Sequence, residues 1–192
     1  MSKEHLRRYL QLGRDNLLWK LEGLSEYDAR RPIVPTGTNL LGLVKHVASV
    51  EAGYLGDTFG RRFPEPLPWF DECAETNADM WVTPDESRED IVGLYRRVWA
   101  HSDTTIEALD LDAPGRVPWW RPETADVTLH QILIHLIAET DRHGGHADIL
   151  RELIDGATGW RPGKDSLAFG TAEEFAAFHA TVERAAREAG RP

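Results

Sequence analysis

The sequence contains a single cysteine, Cys73, among 192 residues. One cysteine cannot form an internal disulfide, which excludes a disulfide-stabilised secreted scaffold and fits a reducing compartment. Apolar runs are also short, and none approaches the ~20 residues that a transmembrane helix needs. The N-terminal segment MSKEHLRRYL is charged and lacks the apolar core of a signal peptide. The sequence therefore predicts a cytoplasmic protein without a membrane association.

Positive charge is scarce relative to negative charge. The chain has 22 Lys and Arg residues against 32 Asp and Glu residues, which gives a formal net charge of −10. Such a surface repels phosphate backbones and anionic lipid headgroups, so binding to nucleic acid is not expected. The hydrophobic fraction of 41% and the length suit one soluble globular domain with a sizeable core.

Several catalytic motifs are also missing. No Glu-x-x-His pair occurs anywhere in the chain, although a ferritin-like di-iron bundle would need one. The His-Glu-x-x-His motif of zinc proteases and the Gly-x-Ser-x-Gly motif of α/β-hydrolases are absent too. Cys73 lies in the acidic segment DECAETNAD without basic neighbours that would favour a thiolate, so we interpret it as a bystander.

Apolar residues recur at helical spacing in four long segments and one shorter segment. Capping boxes at Thr83–Glu86, Thr128–Gln131 and Thr171–Glu174 indicate three helix starts, and Thr36 or Thr38 is expected to cap the second helix. No segment indicates a strand. The predicted fold class is therefore all-α, a four-helix bundle with long crossover connections plus a short C-terminal helix. The predicted helices span about residues 4–23, 39–59, 83–109, 128–156 and 171–189.

Two long connections separate these helices. The segment RRFPEPLPWFDECAETNADMWV follows the second helix, and DLDAPGRVPWWRPETAD follows the third. Connections of this length in a compact domain are usually functional or crossovers. Their tryptophans could wall a pocket or pack over the ends of the bundle, and the pattern does not decide between the two. Residues 1–156 are expected to form the bundle, with residues 157–192 as a C-terminal loop and helix packed on the same domain.

Four polar side chains follow one another along the fourth predicted helix, namely His135, Glu139, His143 and His146. Their spacings of four, four and three residues place them on one stripe of an α-helix. His143 falls nearly in the middle of the apolar arc and is expected to face the interior. Buried charge is costly unless it is paired or binds a metal, and Glu139 and His143, one turn apart, can reach the same cation.

The second predicted helix supplies the best candidate for a third ligand, His46, which is flanked by apolar residues. Three N/O ligands from two helices would leave coordination positions open for water or substrate, as in catalytic metal sites. His135 could orient a ligand by a hydrogen bond, and His146 competes with His143 for the metal. An ordinary core histidine and a solvated helix face would produce the same pattern, so the spacing leaves that alternative open. The other histidines, His5, His101, His130 and His179, are expected at the surface.

Two segments, NLLGLVKHVASVEAGY and HLIAETDRHGGHADILRELIDG, together resemble the DinB-like superfamily. More narrowly, they are similar to the branch with mycothiol- and bacillithiol-dependent transferases and the mycothiol-dependent maleylpyruvate isomerase. The resemblance covers roughly residues 4–156. It implies a four-helix bundle in which three side chains, here His46, Glu139 and His143, hold a divalent metal. Glu139 stands where many members have a histidine and resembles the isomerase branch, and His146 stands where many have a glutamine.

This resemblance also implies a chemistry. The cation, most often zinc, with nickel, iron or manganese as alternatives, would hold the sulfur of a low-molecular-weight thiol as a thiolate that attacks an electrophile. The Arg-rich composition is typical of a GC-rich genome, and within this superfamily such a source implies mycothiol as the thiol. A non-catalytic metal- or ligand-binding stress-response bundle and a thiol-independent metal hydrolase stay open as alternatives. A small-molecule substrate and a monomeric or homodimeric protein are expected.

Overall fold

A computed structural model describes residues 2–71, 73–161, 163 and 171–190 of the chain. Helices dominate this part of the protein, which confirms the predicted all-α fold class. No helix within the described ranges is both long and apolar enough to cross a membrane. The helices are α1 (Lys3–Trp19), α2 (Glu26–Arg30), α3 (Leu40–Leu55), α4 (Arg88–Ala108), α5 (Leu129–Asp155) and α6 (Ala172–Ala189).

Helix α3 begins after Asn39, and the prediction of Thr36 or Thr38 as its cap was wrong. The Asn39 side chain accepts a hydrogen bond from the Gly42 backbone N–H at 2.8 Å and so satisfies one of the free donors of the first turn. Its amide nitrogen also donates to the Met80 carbonyl at 3.2 Å. This second contact comes from a distant segment, and sequence pattern could not indicate it.

Helix α4 begins at Arg88, behind a capping box formed by Ser87 and Asp90, and this cap lies four residues later than the predicted cap at Thr83. The Thr83 N–H does donate to the Glu86 carboxylate at 2.8 Å, so the local pair forms, but no helix follows it directly. Lys45 of α3 approaches the same carboxylate at 2.8 Å. A tertiary ion pair therefore holds this turn away from the helix.

A short helix and a small two-stranded sheet escaped prediction. Helix α2 spans five residues behind the Ser25 cap, within a segment that its prolines mark as a linker. Strands β1 (Pro114–Arg116) and β2 (Asp126–Thr128) pair antiparallel, so the expectation of no strand was wrong. Three-residue strands are too short for an alternating pattern to be visible in the sequence. The predicted Thr128 cap is confirmed, because the Thr128 side chain accepts a hydrogen bond from the Gln131 N–H. Helix α5 begins directly after β2.

Helix α3 occupies a central position in the packing. It packs against α4 and α5, and α1 packs along α5. Burial of aliphatic side chains from these four helices supplies the main favourable term for folding. The largest buried apolar cluster joins residues of α1, α3, α4 and α5, including Leu17, Leu41, Val44, Ile91, Tyr95 and Leu150.

A buried ion pair crosses this core. The Arg14 guanidinium of α1 binds the Glu51 carboxylate of α3 at 2.5 and 3.1 Å, and both side chains are completely buried. Arg14 also donates to Asp103 of α4 at 3.0 Å. The cluster therefore ties three helices together through a fully buried ion pair and the partly exposed Asp103.

The C-terminal helix α6 begins at the predicted Thr171–Glu174 capping box. It has 18 residues and is therefore not shorter than α1 or α3, against expectation. Its residues are exposed except for Phe175, which is half-buried. The proposed division of the chain into residues 1–156 and 157–192 stays a prediction.

Candidate metal centre and adjoining cavity

His46 of α3 meets Glu139 and His143 of α5 where the two helices pack together. Nε2 of His143 lies 3.0 Å from Oε1 of Glu139, and Nε2 of His46 lies 3.7 Å from the same oxygen. One donor atom of each residue lies within 4.8 Å of the others. Bonds of 2.0–2.2 Å to a tetrahedral ion would separate N/O donors by about 3.4 Å, so this geometry fits a metal site.

Helical spacing on α5 and apolar patterning on both helices explain this meeting. His143 is buried, as its place in the apolar arc predicted, whereas Glu139 and His46 are half-buried. The rings of His46 and His143 are packed edge to face with their centroids 4.8 Å apart. The structure therefore brings together the three side chains that the sequence suggested as ligands, and their binding of a metal stays a prediction.

Asp79, which the sequence did not indicate, contacts the cluster directly. Its Oδ2 lies 2.6 Å from Nδ1 of His46. Because an ionised carboxylate can only accept, Nδ1 donates this hydrogen bond, and Nε2, which faces Glu139, is the nitrogen left to bind a metal. Histidines that bind metals are commonly oriented by a carboxylate in this way. Asp79 lies in the aperiodic connection after α3, where no spacing signal relates it to His46.

Contacts with the start of α3 hold the segment around Asp79 in place. The next residue, Met80, accepts from the Asn39 side chain through its carbonyl oxygen. Its backbone passes so close to Gly42 that a Cβ there would overlap that oxygen. Gly42 therefore allows the connection to approach the helix on which His46 lies.

The pKa shifts of Glu139 and His143 both favour the deprotonated forms that bind a metal. Burial acts to raise the pKa of Glu139, but attraction to His143 and His46 outweighs it, and the pKa falls below its usual value. Burial, followed by repulsion from His46, lowers the pKa of His143 despite the opposing attraction of Glu139. A carboxylate and a neutral imidazole are the states that bind a cation.

The two remaining histidines of the α5 stripe have different surroundings. His146 is exposed, and its Nδ1 lies 3.4 Å from Nδ1 of His143, on the opposite side of that ring from Glu139. His135 lies one turn before Glu139 and packs edge to face against Tyr54, with centroids 4.7 Å apart. Neither joins the three-residue cluster.

His101 of α4 was expected at the surface but is half-buried against Phe63, and burial lowers its pKa.

A cavity of about 750 Å³ opens beside the cluster, within the size range of small-molecule sites. His46, Glu139 and Asp79 line one part of it, and Tyr54, Trp119 and His135 line another. The connection after α3 lines one side of the cavity through Leu67 and Phe70. Trp69 fastens this connection to α3, because it donates to Ser49 at 2.8 Å and stacks on the Lys45 ammonium at 4.2 Å. The tryptophan-rich connections therefore both wall the cavity and pack on α3.

Comparison with known protein families accounts for most of the chain. A family model described as mycothiol-S-transferase matches residues 5–156, which include the cluster and the cavity walls. A comparison with curated proteins found no match. The matched segment spans more than half of the chain and contains both of the segments that resemble the DinB-like superfamily. The chain belongs to the mycothiol-S-transferase family of the DinB-like superfamily.

Proposed function

We propose that this protein is a metal-dependent enzyme that transfers mycothiol to an electrophilic small molecule. Its ligands are His46, Glu139 and His143, and zinc is the proposed ion. The observation that carries the proposal is the convergence of three donor atoms within 4.8 Å of one another at the wall of a cavity. Membership of the mycothiol-S-transferase family supports the choice of thiol.

The donor set suits a catalytic ion. Two imidazole nitrogens and one carboxylate leave coordination positions free, whereas structural zinc sites fill all four with protein ligands. A divalent ion bound there would lower the pKa of a thiol sulfur and hold the sulfur next to the cavity. The Glu139 carboxylate reduces the net charge of the site, so this effect is smaller than with three neutral imidazoles.

The remaining residues act on the ligands and the substrates. Asp79 orients the His46 ring, and His146 faces the outer nitrogen of His143, where it can accept that proton. The cavity admits the electrophile beside the cluster, and its apolar walls exclude part of the water that would compete as a nucleophile.

The test measures metal content and thiol transfer on the same preparations. We expect about one metal ion per chain in the untagged wild type and near-complete loss in a Glu139→Ala, His143→Ala double variant. His130→Ala is the matched control, because it removes a histidine of α5 that lies outside the cluster. Mycothiol consumption with an electrophile should follow metal content. Absence of metal from the wild type would contradict the proposal.

Two other outcomes correspond to other functions. Stoichiometric metal and bound mycothiol without any product would indicate a binding protein that does not turn over. Hydrolysis that proceeds equally well without thiol would indicate a metal hydrolase.

Asp79 provides a separate prediction. Asp79→Ala removes the acceptor that fixes the His46 tautomer, and metal affinity should fall about 10–100-fold. The measurement is competition with a chromophoric chelator at constant pH. Asp71→Ala is the control, since Asp71 also lines the cavity but has no contact with His46. Equal affinities for Asp79→Ala and the wild type would show that the carboxylate has no role in positioning the ligand.

A further inference from the structure

The cavity has an aromatic corner formed by Tyr54, Trp119 and His135. The ring centroids of Tyr54 and Trp119 lie 5.1 Å apart, and those of Tyr54 and His135 lie 4.7 Å apart, both pairs edge to face. All three side chains line the cavity together with Glu139. His135 precedes Glu139 by one turn of α5, a rise of about 6 Å, so the corner adjoins the metal cluster.

Hydrogen bonding holds the base of this corner rigid. Tyr54 is buried, and its hydroxyl accepts from the Trp120 indole N–H at 2.9 Å. The Trp120 ring also packs against His135, with centroids 5.3 Å apart. Tyr54 and His135 therefore keep their positions when the cavity is filled, which reduces the ordering cost of binding a ligand there.

Trp119 differs from its neighbour Trp120 in being exposed, with 51% of its surface open to solvent. The indole lies across α3 at Gly53, where an added Cβ would come within 2.8 Å of its Cη2 atom. The glycine thus leaves the room that seats this ring at the cavity wall. A large apolar ring exposed at a cavity beside a candidate reaction centre is typical of a ligand-binding surface.

Charge around the cavity restricts which ligands fit. Five carboxylates line it, those of Asp57, Glu65, Asp71, Asp79 and Glu139, against one arginine, Arg62. Arg97 neutralises Glu65 at 2.6 Å, and Arg62 lies 4.0 Å from Asp57. Within the described residues, no lysine or arginine pairs with Asp71 or Asp79. Asp79 pairs with His46, and a bound divalent ion would offset the charge of Glu139, so the unbalanced negative charge of the lining lies at Asp71. Away from the proposed metal position, the lining is therefore negative where it is not apolar, and it disfavours an anionic ligand there.

We infer that the aromatic corner binds the electrophile, and that it selects planar conjugated electrophiles that are neutral or cationic over anionic ones. This inference rests on the proposed transferase function. Stacking on Trp119 and Tyr54 would hold the electrophilic carbon beside the sulfur-binding position. With a chlorodinitrobenzene as probe, the thiol sulfur forms a bond to the ring carbon. The carbon–chlorine bond breaks, chloride leaves with the bonding pair, and the thiol proton passes to solvent.

The first experiment compares electrophiles that differ in shape. For Trp119→Ala we expect the KM for chlorodinitrobenzene to rise roughly tenfold. The KM for iodoacetamide, a small aliphatic electrophile that cannot stack on the indole, should rise much less than the KM for chlorodinitrobenzene, and the KM for mycothiol should not follow that rise. Trp119→Phe should recover part of the loss. Trp81→Ala is the matched control, because Trp81 is also exposed but lies outside the cavity lining.

Gly53→Ala tests the same site without removing the indole. The added methyl group displaces Trp119, and the KM for chlorodinitrobenzene should rise again. Alanine favours a helix more than glycine does, so α3 itself should persist. A rise in the KM for mycothiol instead would place the thiol at the corner and overturn the inference. Unchanged KM values for chlorodinitrobenzene in both Trp119→Ala and Gly53→Ala would also overturn it.

The second experiment tests charge and needs no turnover. Equilibrium dialysis compares unreactive dinitrobenzene with dinitrobenzoate, which differs by one carboxylate. We expect the neutral compound to bind at least about tenfold more tightly, and Asp71→Asn to narrow the difference. Equal binding of the two would overturn the selectivity. The two proposals can fail separately. If the protein transfers no thiol but binds dinitrobenzene, and Trp119→Ala abolishes that binding, then the proposed function fails and the ligand site at the aromatic corner stands.

Discussion

Glu51→Ala should destabilise the protein by about 3–5 kcal/mol, which is a large part of the 5–15 kcal/mol that stabilises a typical domain. The substitution leaves the buried Arg14 guanidinium with Gln11 and the partly exposed Asp103 as its remaining side-chain partners. A charge that is buried and incompletely paired keeps its desolvation cost without the compensating attraction. Urea denaturation of the variant and the wild type, followed by circular dichroism, measures the difference.

The double variant Arg14→Met, Glu51→Leu serves as the control for this prediction. It removes both charges and fills the space with apolar side chains, so most of the lost stability should return. A Glu51→Ala protein as stable as the wild type would mean that water reaches Arg14. In that event the description of Arg14 and Glu51 as a completely buried pair would be wrong.

Glu139→Gln should lower metal affinity at least about 100-fold, more than the 10–100-fold that follows loss of an outer hydrogen-bond partner. Glutamine has nearly the same shape as glutamate, but it carries no charge and is a weak ligand for a divalent ion. It also removes the carboxylate that both His46 and His143 face. Chelator competition at constant pH measures the affinity.

Glu139→His is the informative companion variant. It creates the three-histidine set that many superfamily members carry, and it should retain metal where Glu139→Gln does not. The net charge of the site then rises by one, which should lower the pKa of a bound thiol further. Retention of wild-type affinity in Glu139→Gln would remove Glu139 from the proposed ligand set.

The sequence by itself determined much of the site. Helical periodicity placed Glu139 and His143 on one face of a long helix, and apolar flanks placed His46 toward the interior. The resemblance to the DinB-like superfamily joined them into one cluster, and the structure brings the three together. Such predictions succeed because both helices are long and their period is regular, so the direction of each side chain follows from its position along the helix.

Only the tertiary structure decided what surrounds the three ligands. Asp79, Trp119 and the Lys45–Glu86 ion pair depend on connections that have no period, and their positions result from contacts between residues far apart in the chain.

The same reason explains which helix starts could be predicted. Thr128 and its cap are local and were predicted, whereas Ser87 replaced Thr83 because Lys45 and Arg30 bind the turn between them. Local pattern determines the helices and the faces they present, and the packing of aperiodic segments against them determines the cavity.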